Sequence, residues 1–148
     1  MAALLDVNVL IALFDPDHPR SDAVADWLTA NAAAGWASCA ITENGFARIV
    51  SQPGYANPMT VRRALGLLAA ACADQAHEFW PCDISITDDA RLNPGRLLRS
   101  GELTDIYLLA LAVAHGGRLV TFDRRIALEA VPGATPDHLL VLGSPEGA

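Results

Sequence analysis

The chain contains no lysine, and all ten of its basic residues are arginine. That absence removes whole classes of chemistry. A Walker P-loop, a pyridoxal Schiff base and a phospho-aspartate switch each depend on a lysine ammonium group. Cysteine is scarce too. Cys39, Cys72 and Cys82 lack Cys-x-x-Cys spacing, which argues against a disulfide framework or a zinc knuckle and leaves free, mostly buried thiols as the expectation. Positive charge is outweighed by 17 acidic residues, for a net charge of −7. A generic nucleic-acid coat needs a positive surface, so any nucleic-acid site here must be local. No apolar run approaches the roughly 18 residues that span a bilayer, and MAALLDVNVLIALFDPDHPR has no basic stretch ahead of its apolar segment. A soluble, cytoplasmic protein with no membrane partner is expected.

What the chain does have is apolar residues, 52% over 148 residues, enough for a sizeable core; one domain spanning 1–148 is expected. Apolar runs bounded by turn residues alternate with longer helical patterns, the rhythm of an α/β domain. Ala3 to Asp6 reads as a strand and Val7 to Phe14 as a helix closed by Asp15, Pro16 and Asp17. SDAVADWLTANAAAG has a Ser21 cap and a Gly35 stop, and WASCAI (36–41) follows as a second strand. Thr42 to Ser51 and Met59 to Asp74 are predicted helical. EFWPCD holds a third short strand, Leu103 to His115 a helix apolar on most faces, RLVTF a fourth strand and LLVLG a fifth.

GGRLVTFDRR raises the functional question, because its apolar run stops on an acid, Asp123. Other acids occupy comparable places. Asp6 ends the first strand, Glu43 lies two residues beyond WASCAI, and Asp105 sits in the first turn of the long apolar helix. In an open right-handed α/β sheet these positions lie along one edge, where ligands bind beyond the strand carboxyl ends. Taken singly, Asp6 and Asp123 could be helix caps worth ~1 kcal/mol, and Asp105 or Glu43 could complement a helix dipole. Taken together, gathered carboxylates repel one another and call for a cation. Carboxylate oxygens suit Mg²⁺ or Mn²⁺.

LLDVNVLIALF, AITENGFARI and TDIYLLALAVAHGGRLVTFDRR, in that order and spacing, resemble the PIN-domain ribonucleases and, within them, the VapC toxins of toxin–antitoxin pairs. The resemblance covers nearly the whole chain. It implies a three-layer α/β/α fold with a mostly parallel sheet of four to five strands, and a Mg²⁺- or Mn²⁺-dependent endoribonuclease. The family's metal-binding acids fall on Asp6, Glu43, Asp105 and Asp123. Three would hold the ion directly or through its waters, while Glu43 would bind it or orient the attacking water. The products implied are a 5′-phosphate and a 3′-hydroxyl. Asn8 and Thr121 are assigned to hydrogen bonding that orients the ligands. The resemblance also implies a cognate VapB-type antitoxin, one of whose arginines could reach the acids while an amphipathic helix docks on the faces of 23–30 and 46–50.

Arg96, Arg99, Arg124 and Arg125 flank the acids and could bring RNA phosphates to them; solvated surface arginine is the alternative. His18, His77, His115 and His138 have no H-E-x-x-H spacing and receive no catalytic role, and Trp27, Trp36 and Trp80 read as core or interface residues. Broad apolar helix faces in a short chain suggest a two-fold homodimer. Two other functions compete: a structure-specific or housekeeping nuclease with a related site, and a non-catalytic interaction domain whose acids only cap helices.

Overall fold

The computed structural model describes residues 1–97 and 99–143, so the last five positions of the expected 1–148 domain lie outside the described residues. Five strands form one parallel sheet: β1 (Ala3–Leu5), β2 (Trp36–Cys39), β3 (His77–Trp80), β4 (Arg118–Thr121) and β5 (Leu139–Val141), in the order β3-β2-β1-β4-β5. Helices α1 (Val7–Phe14), α2 (Ser21–Ala30), α3 (Ala40–Val50) and α4 (Val61–Cys72) precede β3, and α5 (Leu103–Ala114) precedes β4. Chain order runs outward from β1 in both directions. The space between β1 and β4, beyond their carboxyl ends, is therefore the topological switch point where α/β sheets bind ligands.

The strands are short, and the three central ones, β1, β2 and β4, are buried on both faces, whereas the edge strands β3 and β5 are partly exposed. Leu4, Ala37, Cys39 and Leu119 pack with α5 residues and Trp80 in one apolar cluster. Ala3, Leu5, Trp36 and Val120 pack with residues of α1 to α4 in the other. This alternation follows from the period-two geometry of a strand and yields the three layers. Ile106 through Ala112 are all buried, so α5 is covered on most of its faces. Each fully buried leucine, such as Leu4 or Leu109, contributes roughly 1.5–3 kcal/mol.

Several boundaries differ from the expectations for physical reasons. β2 stops at Cys39, not Ile41, because the Thr42 hydroxyl accepts the Cys39 N–H (3.0 Å) and starts α3 two residues earlier. α4 begins at Val61, where Thr60 Oγ1 accepts the Arg63 N–H (3.1 Å). β3 starts at His77 and ends before Pro81, which has no N–H to continue a ladder. His115, the residue after α5, stacks on Trp80 with ring centroids 4.7 Å apart and lies 3.2 Å from Asp83. Among the described residues no helix is long and apolar enough to cross a membrane.

One glycine controls how the helices meet over the sheet edge. A Cβ on Gly45 would lie 2.6 Å from Val7 Cγ2, so glycine is what allows α3 to close on α1. That close approach brings the start of α3 beside Asp6.

Candidate active site

Asp6 is the residue after β1, and its backbone N–H extends the ladder to the Val120 carbonyl (2.9 Å). Its carboxylate has two tasks. Oδ1 accepts the Val7 N–H at 2.7 Å, capping α1, while Oδ2 accepts the Thr121 hydroxyl at 2.7 Å. Asp6 is only 5% exposed. Burial pushes its carboxyl up, the two hydrogen bonds oppose that push, and the nearby Asp123 charge adds to it; the net shift is upward.

Thr121, the last residue of β4, is the hub. Besides donating to Asp6, its oxygen accepts the Asp123 N–H (3.0 Å) and faces Asn8 Nδ2 (3.4 Å). Asn8 Oδ1 in turn accepts the Phe122 N–H at 3.3 Å. One hydroxyl thus sets both an acid's orientation and the turn that presents the next acid.

The helical turns that follow β4, Leu128–Ala130 and Pro136–His138, start at Ala127 and Thr135, so Asp123 caps neither. Its Oδ1 accepts the Arg125 N–H (2.8 Å) and lies 3.3 Å from Arg125 Nε. These contacts hold the Asp123 carboxyl below its usual range, the Arg125 backbone N–H most of all. Asp105, from the first turn of α5, moves the other way, to about 6. Burial is the largest cause, followed by the charges of Asp6 and Asp123 and a hydrogen bond shared with Asp123. Three aspartates from the end of β1, α5 and the β4 turn therefore meet at the switch point.

Glu43 is not with them. Its Oε2 accepts the Ser38 hydroxyl at 2.6 Å and lies 3.9 Å from Cys72 Sγ. Glu43 is expected beside the aspartates, and in the structure the phase of α3 places its side chain away from them. Ala40, Asn44 and Arg48 form a ridge along this helix; Ile41 and Gly45 face the hollow that contains Asp6 and Asp105, whereas Glu43 and Ala47 face α4. Residues 43 and 45 are about 200° apart around a helix. The residues missed in the sequence are Asn44 and Arg48, which line the same hollow as Asp6 and Asp105. Their repeat at 40, 44 and 48 was the available signal.

A cavity of about 340 Å³ opens beside Asp105 and Asp123, and Arg96, Arg99 and Arg125 line it. Arg99 pairs with Glu102 at 3.3 Å. Arg124 turns to a neighbouring hollow with Asn8 and Asp123, donating to the Gly143 carbonyl at 3.1 Å. Phe46 and Val50 are fully buried in the core, so the 46–50 face expected to receive an antitoxin helix is already covered.

Residues 3–132 match the PIN domain family model. The chain belongs to the PIN-domain family, and its curated relatives are VapC proteins. It is 55% identical to Ribonuclease VapC44 of Mycobacterium tuberculosis, covering 96% of this chain and all of the relative. Ribonuclease VapC39 of the same organism is 40% identical over 90% of this chain and 96% of its own. The solved structure of VapBC2 from Rickettsia felis bound to a DNA fragment from their promoter aligns with a TM-score of 0.59 at 15% identity, covering 95% of this chain and 97% of the other. That likeness concerns the fold.

Proposed function

We propose that this chain is a Mg²⁺- or Mn²⁺-dependent endoribonuclease of the VapC kind, silenced by a cognate antitoxin. The observation that carries the reading is the gathering of Asp6, Asp105 and Asp123, from three separate elements, around one hollow and the cavity beside it. Helix capping accounts for Asp6 alone. It does not account for three carboxyl groups held close enough to disfavour one another's charge. The donor set is all oxygen and strongly anionic, which fits a hard divalent ion held by Asp6, Asp105 and Asp123. Such an ion, when bound, acidifies water and neutralises charge on a phosphoryl group.

The chain's own groups do the positioning. Thr121 fixes Asp6 Oδ2, and Asn8 fixes the turn that carries Asp123. Arg96 and Arg99 hold the RNA backbone in the cavity by charge-assisted hydrogen bonds. Water oxygen then bonds to phosphorus as the bond to the 3′ oxygen breaks. The leaving oxygen gains a proton, giving a 5′-phosphate and a 3′-hydroxyl. Single-stranded or loop RNA is the expected substrate, because its phosphates reach a cleft most easily.

The partners follow from the same reading. An antitoxin must cover the anionic cleft, and an arginine paired with Asp105 and Asp123 is suited to do so. A two-fold homodimer is supported by exposed Val61 and Leu65 on α4 and Phe79 on β3; light scattering showing only monomer at tens of micromolar would count against it. The activity is tested with purified protein on a folded RNA. Cleavage is expected with Mn²⁺, lost on chelation and lost in Asp105→Asn; cleavage that survives both changes would overturn the reading.

A further inference from the structure

The surroundings of Glu43 contain a second set of ligating groups. Glu43 in the first turn of α3, Cys72 at the end of α4 and His77 at the start of β3 place a carboxylate oxygen, a thiol sulfur and an imidazole nitrogen within 4.8 Å of one another. Ser38 sits among them, fully buried, with its hydroxyl 2.6 Å from Glu43 Oε2, 2.8 Å from His77 Nε2 and 4.0 Å from Cys72 Sγ. Four polar groups from four elements meet beside the groove between α3 and α4, Ser38 fully buried and the other three half-buried.

We propose that Glu43, Cys72 and His77 form a binding site for a borderline-soft divalent cation of the zinc class, separate from the aspartates. Two arguments carry this beyond proximity. The first is geometric. Zinc bonds of about 2.0 Å to oxygen and 2.3 Å to sulfur, at a tetrahedral angle, put those ligands about 3.5 Å apart. Cys72 Sγ and Glu43 Oε2 stand 3.9 Å apart and all three ligand atoms lie within 4.8 Å of one another, distances that side-chain rotation can shorten to the zinc spacing. The second is the donor set. Sulfur, nitrogen and oxygen together favour zinc over magnesium, while the three aspartates present only oxygen. The chain would therefore sort two kinds of ion between two sites.

Ser38 has the role of an orienting partner, because its proton fixes the Glu43 carboxylate in place. With the Ser38 hydroxyl donating to Glu43, His77 Nε2 is the donor to Ser38 in the metal-free chain. Loading moves the imidazole to the tautomer with a free lone pair toward the ion. Cys72 gives up its thiol proton to solvent as the sulfur–metal bond forms. The groove between α3 and α4 leaves the fourth position open to water. A bound ion would tie the end of α4 and the edge strand β3 to the start of α3.

Cobalt(II) is the probe, added to the purified full chain. One equivalent is expected to give a thiolate-to-cobalt charge-transfer band in the near ultraviolet, displaced by Zn²⁺ and not by Mg²⁺. Cys72→Ala should abolish the band, and His77→Gln should weaken cobalt binding at least tenfold. Asp6→Asn should keep the band, so failure here is distinguishable from failure of the nuclease reading. Without any substitution, Zn²⁺ should protect Cys72, and not exposed Cys82, from alkylation mapped by mass spectrometry. No thiolate band, a band that survives Cys72→Ala, or alkylation of Cys72 unchanged by Zn²⁺ would each overturn the proposal.

Discussion

Asp105 and Asp123 line the same cavity with their carboxyl groups shifted in opposite directions: the Arg125 backbone N–H holds Asp123 down, while burial first, and then the charges of Asp6 and Asp123, push Asp105 up to about 6. The raised Asp105 carboxyl makes the stability of the metal-free protein depend on pH. Between the unfolded value of 3.8 and about 6 the folded chain binds more protons at Asp105 than the unfolded chain does. Stability contributed by that site therefore falls as pH rises through this window, and the loss is complete above it. Discounted for partial exposure, it is on the order of 1 kcal/mol. Asp105→Asn is expected to raise the metal-free melting temperature by about 3 °C at pH 7.5, with the gain vanishing near pH 4. A gain equal at both pH values would mean the charge is not responsible.

Thr121 touches no substrate, yet it should matter nearly as much as the acids. Thr121→Val keeps the shape and removes the hydroxyl that orients Asp6 Oδ2. We expect Mn²⁺ affinity to fall about 10- to 100-fold. Asp6→Asn should abolish Mn²⁺-dependent cleavage while the chain stays folded, since asparagine caps a helix about as well as aspartate. Calorimetric Mn²⁺ titration of both variants provides the check.

The arginines divide by position. Arg96 and Arg99 line the cavity beside Asp105, whereas Arg124 is engaged with the Gly143 carbonyl. Replacing Arg96 or Arg99 with alanine should weaken binding of a non-cleaved RNA and reduce the slope of log affinity against log salt by about 0.7 for each phosphate no longer neutralised. An unchanged slope would make them ordinary surface charges.

A further network lies away from the site. Asp15, buried after α1, accepts hydrogen bonds from Tyr55 Oη and from Asn57 Nδ2 (3.2 Å), pinning the 52–58 loop against α1. Burial, the largest single effect, would raise the Asp15 carboxyl, but these bonds together with the Asp17 backbone N–H and the nearby His18 outweigh it and hold it below its ordinary value. Its stabilisation is thus present at neutral pH and lost as pH falls through the folded value. Tyr55→Phe is expected to cost about 1–2 kcal/mol by urea titration at pH 7 and less in acid.

If an antitoxin arginine occupies the aspartate cleft, Mn²⁺ and antitoxin must weaken each other by the same factor. Antitoxin affinity measured with and without Mn²⁺ checks this, and an unchanged dissociation constant would leave steric blocking of the RNA path as the means of inhibition.

Much of this was legible in the sequence because it depends on local periodicity and chain order. The strand-then-acid pattern of ALLD and RLVTFD, and the apolar run of α5 with Asp105 in its first turn, require only that strands alternate and that parallel crossovers share a hand. Those rules place Asp6, Asp105 and Asp123 at one sheet edge whatever the detailed packing. Glu43 shows what they cannot place. Being in the first turn of α3 says which end of the helix it occupies and nothing about which way it points. Tertiary structure decided that: Gly45 closes against Val7 and turns residues 41 and 45 toward Asp6, leaving Glu43 on the far side with Ser38, Cys72 and His77. The same holds for the cysteine and histidine, whose separation of five residues has no metal-binding spacing until the end of α4 and the start of β3 fold back onto α3. Contacts between elements distant in sequence depend on helix rotation, and rotation is set by which neighbouring side chains allow close approach.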